Sequence, residues 1–531
     1  FQDTEAFDLD TFAGTAKRQS QRILASQSAC NPDWIIASLD IDKAFLQGFT
    51  YKELAEATGE KERLVCFRLP PGSAEHLRKF PGYKHFDEAI HCLECIKPGT
   101  GTKDAPRAFS LKLRQLTKQT GLRPTIYDPE FEMKKELLTA KHVDDINMTG
   151  TEKEIDKYTT EVEKVFGKCK LNKHQFTNCG VQYTKEKNGD VTLDQDAYIK
   201  TMRPIMHDEL TGKNPDDKAT KAVADLFVSL REATAYTTLT QSWIQVFIVA
   251  LQRIQEPTNL EVRRLNAVTR KLQQSPKKLV YVSMIPNNRV ELHSDSGYKR
   301  TDKAEDEQTG YGMCGLCLCR CGVKRGDHGH MIPQKKGVDH GNMTPITTAI
   351  HLIDSICKSH RLTIRSSYGA ELLAASHGFD DSYPTIITLI ELNRQYPLQP
   401  AELKDFREKG GWPIDVTLTL DAESVYKSVT SRDLKTPTEK TLLGHMCWIR
   451  EALQMRLIAS VQWCDTRDMI ADGHTKGSVE RTGLLEAMSG KQTFKYTENL
   501  KTYEPYREKT SSASTEQSDA WINMNTSVQI A

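Results

Sequence analysis

The stretch Leu137-Leu-Thr-Ala-Lys-His-Val-Asp-Asp-Ile-Asn-Met-Thr (137–149) places two adjacent acids between two short apolar runs. This pattern predicts a β-hairpin with Asp144 and Asp145 at its turn. Much earlier, Ile35-Ile-Ala-Ser-Leu-Asp (35–40) indicates a buried strand that ends in Asp40, after which the chain turns into a helix. Three acids at strand ends repel one another, and a divalent cation is the usual reason to tolerate them. Taken alone, Asp-Asp is also common in turns for backbone reasons.

The whole chain has the composition of a globular protein with several domains. Its 531 residues predict about two to four domains, and 38% hydrophobic with 27% charged residues is typical of a packed protein. No apolar run approaches the ~20 residues that span a bilayer, and no signal peptide is visible, so we expect no membrane association. The 13 scattered cysteines favour a reducing, intracellular compartment. Because residue 1 is Phe, we expect the sequence to begin inside a longer reading frame or a processed polyprotein.

The net charge of +1 does not by itself indicate nucleic-acid binding, so positive charge for phosphates must be local. Two basic groups are candidates: Lys17, Arg18 and Arg22, and then Arg263, Arg264, Arg270, Lys271, Lys277 and Lys278. The second group alternates with Leu265, Val268 and Leu272 at helical spacing, so one face is expected to pack and the other to meet phosphates. A solvated helix face is the alternative.

Hydrophobic periodicity divides the chain into segments. An amphipathic helix, capped by Thr11 or Thr15, is expected within residues 1–30, followed by an α+β pattern over 34–200 and mostly helix over 205–280. Strands resume near Leu279, and a second α/β pattern ends near residue 478. Beyond it periodicity is lost, and residues 508–519, rich in Ser, Thr and Glu, predict disorder.

A second set of acids lies after residue 288. Asp295 is expected at the end of an alternating strand, Glu371 in the first turns of a Ser-capped helix, and Asp421 at the end of another strand. Asp468 and Asp472 are expected on one face of a helix start, four residues apart. Acids spread this way can converge on two Mg²⁺ ions that activate water against a phosphodiester. Each acid considered singly is more often a surface residue.

Four motifs in the first half carry a family resemblance. They are Asp40-Ile-Asp-Lys-Ala-Phe-Leu-Gln-Gly, Leu69-Pro-Pro-Gly, Lys97-Pro-Gly-Thr-Gly-Thr-Lys-Asp-Ala-Pro-Arg-Ala-Phe and His142-Val-Asp-Asp. In order and spacing they resemble the reverse transcriptase of copia-type LTR retrotransposon Pol polyproteins. Phe1-Gln-Asp through Thr11-Phe-Ala also resembles that family's entry into the fingers. The resemblance implies a right-hand fold of fingers, palm and thumb, and RNA-directed DNA polymerase activity.

The resemblance assigns roles to matched positions. Asp40, Asp144 and Asp145 would hold the metal ions for DNA synthesis, and Phe45 would exclude a ribose 2′-hydroxyl, although Phe45 can also be ordinary core. The turn at Gly99 and Gly101 would let the backbone approach the nucleotide or template. Two basic residues, Lys103 and Arg107, would neutralise phosphates.

Two departures from the family pattern stand out. His142 replaces the usual Tyr near the primer end, which changes the polar edge and titration there but not the metal ligands. The chain is also expected to begin after the fingers strand that supplies basic residues to the triphosphate. Both departures bear on turnover more than on metal binding.

The second set of acids falls in motifs that resemble the ribonuclease H half of the same elements. These are Ser-Asp-Ser-Gly (294–297), Ser-Ser-x-x-Ala-Glu (366–371), Leu-Asp-Ala-Glu-Ser (420–424) and Ile-Ala-Asp-x-x-Thr-Lys (470–476). The likeness covers roughly residues 1–478. It implies an α/β ribonuclease H-like domain in which Asp295, Glu371, Asp421 and Asp472 bind two metal ions.

The resemblance also implies an organisation and partners. The expected domains are truncated fingers and palm over 1–205, a helical thumb or connection over 206–285, ribonuclease H-like over 286–478, and a tail over 479–531, disordered from about 505. Each site would use two Mg²⁺, with Mn²⁺ as a substitute. Partners would be an RNA template, a DNA primer, the RNA–DNA hybrid and deoxynucleoside triphosphates, together with the integrase and capsid of the element. The compartment would be the cytoplasm, within virus-like particles, or the nucleus.

Some patterns are not assigned a role. A zinc site is suggested by Cys314, Cys317, Cys319 and Cys321, with His328 and His330 nearby. However, the run 312–321 is expected to be an extended strand, in which Cys317, Cys319 and Cys321 spread along one face over ~13 Å. That distance is too large for all three to bind one tetrahedral ion. His445 and His474 are further candidates for proton transfer or product release. The competing hypothesis for the whole chain is a decayed or domesticated copy that binds nucleic acid without catalysis.

Overall fold

The computed structural model describes residues 10–211, 214–299, 311–326, 348–362, 364–491 and 500–505. In these ranges the chain is a mixed α/β protein whose strands form two sheets of six strands, one of four and one of two. The expected disorder at 508–519, the Phe1-Gln-Asp motif, and His328 with His330 lie outside the described residues. No helix in the described ranges is both long and apolar enough to cross a bilayer.

Strands, α-helices and short 3₁₀ helices follow one another along the described ranges. The strands, in chain order, are β1 (Ile35–Asp40), β2 (Cys66–Phe67), β3 (Leu93–Glu94), β4 (Arg123–Pro124), β5 (Phe131–Lys134), β6 (Leu137–His142), β7 (Asp145–Gly150), β8 (Lys170–Lys173), β9 (Gln175–Asn178), β10 (Val181–Lys185), β11 (Val191–Asp194), β12 (Leu279–Tyr281), β13 (Met284–Lys299), β14 (Tyr311–Lys324), β15 (Ala349–Ser359), β16 (Asp415–Leu420), β17 (Ser460–Trp463) and β18 (Lys501–Tyr503). The α-helices are α1 (Arg18–Cys30), α2 (Tyr51–Thr58), α3 (Ala74–Leu77), α4 (Ala105–Gln119), α5 (Glu152–Phe166), α6 (Asp196–Thr201), α7 (Lys221–Tyr236), α8 (Gln245–Gln252), α9 (Asn259–Gln274), α10 (Ser367–Arg394), α11 (Pro400–Lys409), α12 (Glu423–Thr430), α13 (Leu443–Gln454) and α14 (Thr482–Met488). Short 3₁₀ helices lie at Ala44–Gln47, Asp208–Leu210, Thr237–Leu239, Ser242–Ile244, Lys440–Leu442, Thr466–Asp468 and Ile470–His474.

The first six-stranded sheet, in the order β4-β5-β6-β7-β1-β8, carries the first group of acids. β1 lies inside it, antiparallel to β7 and β8. Leu39 of β1 packs in a core with α4 and α5, whereas Ile36 packs in a core with α1. Because both faces are covered, the strand has an almost continuous apolar sequence. The predicted strand and the predicted β6–β7 hairpin are both confirmed.

The helical pattern predicted over 205–280 is confirmed in α7, α8 and α9, which share an apolar core containing Phe227, Ile248 and Leu265. The strand predicted at Leu279 is also present as β12. β12 pairs with β11 in the four-stranded sheet β12-β11-β10-β9. The chain therefore returns, after the helices, to a sheet built from residues that precede them.

The second six-stranded sheet has the order β15-β14-β13-β16-β17-β18. The pairs β15–β14 and β14–β13 are antiparallel, whereas β13–β16 and β16–β17 are parallel. Helix α10 packs along β13 and β14, with Leu373 and Phe379 fully or almost fully buried. The parallel pairs matter for function because their carboxyl ends meet at the same edge of the sheet.

Helix α1 lies between the two six-stranded sheets, in contact with β6 and β7 of one and β15 of the other. It begins at Arg18, so the prediction that Thr11 or Thr15 caps it is wrong. Thr15 instead forms a β-bridge with His142, and the backbone N–H of Lys17 donates to Asp128 Oδ2 at 2.8 Å. These bonds to distant residues hold the preceding segment extended, which local sequence cannot indicate.

Two candidates of the first basic group, Arg18 and Arg22, approach an acid of β15. Arg18 donates to Asp354 Oδ1 at 2.6 Å, and the buried Arg22 lies 3.8 Å from the same oxygen. Both guanidinium groups therefore join α1 to β15. Lys17 remains exposed, with its Nζ donating to the carbonyl oxygen of Tyr127.

The start of the predicted tail is folded. Helix α14 buries Leu484 and Met488, and β18 pairs antiparallel with β17. Seven helical residues are too few to give a recognisable period in the sequence.

Candidate active sites

The first acid group forms where β1 ends beside the β6–β7 hairpin. Asp40 is paired with Asp145 across β1 and β7, a register that separates Cα atoms by about 4.5–5.5 Å. Asp144 lies beside Asp145 in the turn that joins β6 to β7. Val143, which precedes it, has φ 60°, a left-handed conformation that is strained for a β-branched residue.

The surroundings of this group are partly apolar. Asp144 and Asp145 are half-buried, whereas Asp40 is exposed. Burial is the main cause that raises the pKa of Asp145, followed by the negative charges of Asp144 and Asp40. The neighbouring His142 lowers that pKa by a smaller amount. A divalent cation would stabilise the ionised form of Asp145 against both burial and the neighbouring negative charges.

The residues expected to meet the nucleotide have different surroundings. Phe45 lies in the 3₁₀ helix Ala44–Gln47, half-buried against the core shared with α4 and α5. Lys103 is exposed. Arg107 in α4 is almost buried and donates to both carboxylate oxygens of Glu60, at 2.8 and 2.9 Å, so a phosphate would have to compete with Glu60. Gly101 has φ 105°, which accounts for a glycine at this turn.

The second acid group forms at the carboxyl edge of the parallel strands. β13 and β16 pair from Arg289–Asp415 to His293–Thr419, and Asp295 and Asp421 both lie just beyond that pairing. Asp295 does not end its strand as expected, because β13 continues its pairing with β14 to Lys299. The end of the pairing with β16 still places it at the same edge as Asp421.

Helix α10 brings Glu371 to that edge. As predicted, Ser366 caps the helix, since its hydroxyl accepts from the backbone N–H of Gly369 at 3.0 Å. One oxygen from each of Asp295, Glu371 and Asp421 lies within 4.8 Å of the other two. Within the described part of the chain, this is the only such cluster of three or more histidine, cysteine or acidic side chains.

Asp472 reaches the same group from a 3₁₀ helix rather than from an α-helix. Residues 466–468 and 470–474 form two separate 3₁₀ helices, and Met469 between them is extended. The prediction that Asp468 and Asp472 share one helical face is therefore wrong. Asp472 pairs with Lys476, whose Nζ lies 2.6 Å from Asp472 Oδ1 and 3.6 Å from Asp295 Oδ1.

Two glycines allow this 3₁₀ helix to lie against the sheet. A Cβ at Gly315 of β14 would come within 2.7 Å of the carbonyl oxygen of Ala471. A Cβ at Gly297 of β13 would come equally close, 2.7 Å, to the carbonyl oxygen of Thr475. The close approach also lets the Thr475 hydroxyl donate to Asp295 Oδ2.

Burial and mutual repulsion change the acidity of the second group. Burial, followed by the charge of Asp472, raises the pKa of Asp295 to about 6. Burial and the charge of Asp295 raise the pKa of Asp421 to about 6 as well. The pKa of Glu371 is raised for the same reasons, burial first. One lysine does not neutralise four carboxylates, and this donor set of clustered oxygens fits divalent cations such as Mg²⁺.

Four residues to which the sequence motifs assigned no role shape this site. Thr475 and Lys476 belong to the Ile-Ala-Asp-x-x-Thr-Lys motif, and Gly297 belongs to Ser-Asp-Ser-Gly. Gly315 lies in the cysteine-rich run 312–321. The spacing of Asp472 and Lys476, four residues apart, was the available indication of an ion pair.

The two candidate histidines and the cysteine-rich run are hydrogen-bonded or buried. His445 accepts or donates through Nδ1 with the Ser376 hydroxyl at 3.0 Å. Burial lowers the pKa of His474 to about 3, so its ring is neutral at physiological pH. The strand predicted at 312–321 is confirmed as part of β14, in which Cys317 and Cys319 are fully buried.

The second basic group lies mainly on α9. Leu265 and Leu272 are buried there, as the spacing predicted, while the exposed bases are Arg264, Arg270, Lys271 and Lys278. Arg263 instead donates to the carbonyl oxygen of Leu210 at 3.0 Å. The exposed bases can meet phosphates, and they equally fit a solvated face.

Comparisons with known proteins add little. No protein-family model matches the chain, and no curated protein matches it. A solved structure that matches is described as the foamy viral protease-reverse transcriptase dRH in complex with ds DNA. The two are 10% identical, the match covers 78% of this chain and 57% of that chain, and the TM-score is 0.17. The chain thus spans little more than half the length of that protein, and a match this weak supports no conclusion about fold or function.

Proposed function

We propose that this chain is an RNA-directed DNA polymerase of a copia-type retrotransposon that also has ribonuclease H activity. The observation that carries the proposal is the convergence of Asp295, Glu371 and Asp421, which come from three separate elements and have oxygens within 4.8 Å of one another. These acids are the ones that the ribonuclease H motifs single out. Unrelated surface acids would have no reason to converge where one of them, Asp295, is fully buried and the other two are partly buried.

The arrangement around Asp40 supports the polymerase half. Asp40 and Asp145 are paired across neighbouring strands, with Asp144 at the adjoining turn. Two metal ions held there would activate a primer 3′-hydroxyl and stabilise the leaving pyrophosphate. The chain itself supplies the strand ends that fix the acids, and Phe45 follows Asp40 on the next turn, where it would exclude a ribose 2′-hydroxyl.

The topology supports the ribonuclease H half. The order β15-β14-β13-β16-β17, with three antiparallel strands followed by two parallel ones, brings Asp295 and Asp421 to one edge. Helix α10 covers that sheet and delivers Glu371. Metal ions at this edge would activate water against the RNA strand of a hybrid.

Partners and location follow from the proposed activity. The substrates would be an RNA template, a DNA primer, deoxynucleoside triphosphates and the RNA–DNA hybrid, with Mg²⁺ at both sites and Mn²⁺ as a substitute. Association with the integrase and capsid of the same element, in cytoplasmic particles or the nucleus, belongs to the proposal. The exposed bases of α9 are the described positive charges best suited to a nucleic-acid backbone.

One observation favours the alternative of a copy that binds nucleic acid without catalysis. Arg107, which the family motif assigns to phosphate, is held by Glu60 and lies 3.3 Å from Asp10. This pairing would weaken the binding of a triphosphate, although the acids that would hold the metal ions are in place.

The test separates the two activities within one chain. Asp144→Asn should abolish Mg²⁺-dependent extension of a DNA primer on an RNA template and leave cleavage of RNA in a hybrid intact. Asp421→Asn should do the reverse, because its carboxylate belongs to the other group. Each variant is the matched control for the other.

Binding of the hybrid without catalysis would contradict the proposal. If the unaltered chain binds the hybrid but neither extends the primer nor cleaves RNA with Mg²⁺ or Mn²⁺, the enzyme proposal is wrong and the alternative stands. If one Asp→Asn variant loses both activities while remaining folded, the proposed separation into two sites is wrong.

A further inference from the structure

The second acid group contains its own cation. The Nζ of Lys476 lies 2.6 Å from Asp472 Oδ1 and 3.6 Å from Asp295 Oδ1. Asp295 belongs to the three acids whose oxygens lie within 4.8 Å of one another, whereas Asp472 is outside that cluster. Lys476 therefore makes its shorter contact with Asp472, the acid outside the cluster of three, although Asp472 also shares a side-chain hydrogen bond with Asp295.

The backbone of Lys476 is fixed, but its side chain can leave. Its N–H donates to the carbonyl oxygen of Asp472 at 3.0 Å, and its own carbonyl oxygen accepts from Arg481 at 2.7 Å. The side chain is 35% exposed, in contrast to the fully buried Asp295 beside it. Rotation about the flexible four-carbon stem can move the ammonium to solvent without moving the 3₁₀ helix.

A metal ion shared by Asp295 and Asp472 would contact the same oxygens as the lysine. Two cations a few ångströms apart in a partly buried site repel strongly, so the second ion and the ammonium exclude each other. The conflict is weaker for an ion held by Asp295, Glu371 and Asp421, because the lysine lies 3.6 Å from Asp295 but only 2.6 Å from Asp472.

We propose that Lys476 sets the order of metal loading at this site. Asp295, Glu371 and Asp421 would hold the first divalent ion, and Asp472 would become available to a second ion only after Lys476 releases it. This inference rests on the proposed function, since it assigns the four acids to a two-metal site. Lys476 is a positioning residue: by pairing with Asp472, it changes the affinity of the site for the second ion.

Mn²⁺ binding to the full chain, counted by electron paramagnetic resonance, tests the proposal. Lys476→Met removes the charge and keeps the length of the stem. It should tighten the second ion of this site at least about tenfold, equivalent to about 1.4 kcal/mol, and leave the first ion unchanged. Lys476→Arg keeps the charge and should behave like the unaltered chain. Mn²⁺ bound by the first acid group (Asp40, Asp144 and Asp145) contributes equally in all variants, so it does not affect the difference between them.

The matched control is Lys409→Met. Lys409 pairs with Asp405 four residues earlier at 2.6 Å, the same residue types, spacing and distance, on the exposed helix α11. It should change no ion affinity. If Lys476→Met proves unstable, Lys476→Gln is used instead, and the Mg²⁺ concentration that half-protects the chain against thermal unfolding is measured; it should fall.

The outcomes that overturn the proposal can be told apart. If removing the Lys476 charge leaves the second affinity unchanged or weaker, the loading order is wrong, even when the chain still cleaves RNA. If Asp421→Asn removes no bound Mn²⁺, the acids are not a metal site, and the ribonuclease half of the proposed function fails as well.

Discussion

At the residue scale, the carboxyl groups of the two acid groups differ in how deeply they are buried. Asp40 is exposed at a strand end, whereas Asp295 is fully buried beside other acids. Burial without a neutralising cation makes a carboxylate costly, and the raised pKa of Asp295 and Asp421 expresses that cost. The second group should therefore respond to pH and to metal more strongly than the first.

Stability without metal should fall as the second group ionises. Asp295 and Asp421 have pKa values of about 6 in the folded chain, above the value near 4 of an unfolded chain. The folded state thus binds more protons at these two groups, so their contribution to stability is fully present below about pH 4 and is lost as pH rises through about 6. Each group contributes roughly 1–3 kcal/mol to this loss. Thermal unfolding at about pH 5 and pH 7.5, with and without Mg²⁺, measures it.

Mg²⁺ should raise the unfolding temperature more at the higher pH, where the acids are ionised and bind it. Asp421→Asn is the control for the site, because an amide does not titrate. It should reduce both the pH dependence and the Mg²⁺ effect. An Mg²⁺ effect that is equal at both pH values and unaffected by Asp421→Asn would contradict this account.

At the element scale, the second site depends on how closely the 3₁₀ helix Ile470–His474 lies against β13 and β14. Gly297 and Gly315 are the contact points, and at each of them a Cβ would lie 2.7 Å from a backbone carbonyl oxygen. The shape of the sheet edge therefore depends on these two glycines as much as on the acids.

Gly315→Ala should displace that 3₁₀ helix. The added Cβ would lie 2.7 Å from the Ala471 carbonyl oxygen, and overpacking of this kind costs about 1–3 kcal/mol. RNA cleavage should fall at least about tenfold, since about 1.4 kcal/mol of misplacement suffices for that, while primer extension is retained. The two assays on one preparation measure the effect.

Gly444→Ala is the control for this substitution, because a Cβ at Gly444 in α13 meets no atom within 4 Å. It should leave both activities unchanged and stabilise the chain by up to about 1 kcal/mol. If Gly315→Ala lowered both activities equally, the contact would serve the whole fold rather than Asp472.

The β6–β7 hairpin holds Asp144 through a strained turn. Val143 has φ 60°, a conformation that costs a residue with a Cβ about 1–2 kcal/mol. Val143→Gly should therefore stabilise the chain by about 0.5–1 kcal/mol in urea unfolding, and yet slow primer extension, since the turn would fix Asp144 less rigidly.

Glu136→Gly is its control. Glu136, with φ 63°, lies in the turn between β5 and β6 at the opposite end of β6, away from the acids. It should give a similar gain in stability with unchanged primer extension. Equal effects of the two glycines on extension would show that the strain at Val143 has no role in the site.

At the scale of the whole molecule, helix α1 joins the two six-stranded sheets. It contacts β6 and β7 on one side and β15 on the other, and Arg18 and Arg22 both approach Asp354 of β15. The carboxylate of Asp354 is 3% exposed, so two guanidinium groups rely on one buried charge.

Asp354→Asn should destabilise the chain by about 3–5 kcal/mol, because it leaves Arg22 charged and buried without its partner. Urea unfolding measured by signals from both sheets should shift together if α1 couples them. Asp156→Asn is the control: Asp156 pairs with Lys173 at 2.7 Å but is half exposed, and it should cost no more than about 1 kcal/mol. A shift confined to one sheet would contradict the coupling.

Local periodicity and caps were readable from the sequence. The strand at 35–40, the hairpin around Asp144, the strand that precedes Asp421 and the Ser-capped helix that carries Glu371 all have the predicted positions. Each depends on residues a few positions apart, since side-chain alternation, turn residues and caps are short-range properties. The seven acids were also predicted as site residues from motifs alone.

Long-range contacts were decided only by the tertiary structure. The start of α1 depends on a bond from Lys17 to Asp128, the burial of Arg22 on Asp354, and the 3₁₀ path of Asp472 on two glycines of other strands. No window of sequence contains both partners of such a contact. The sequence by itself determined which acids the chain offers and which strands deliver them. Only the fold determined that three of them meet at one sheet edge, because that distance is set by the pairing of β13 with β16 and by the packing of α10 on the sheet.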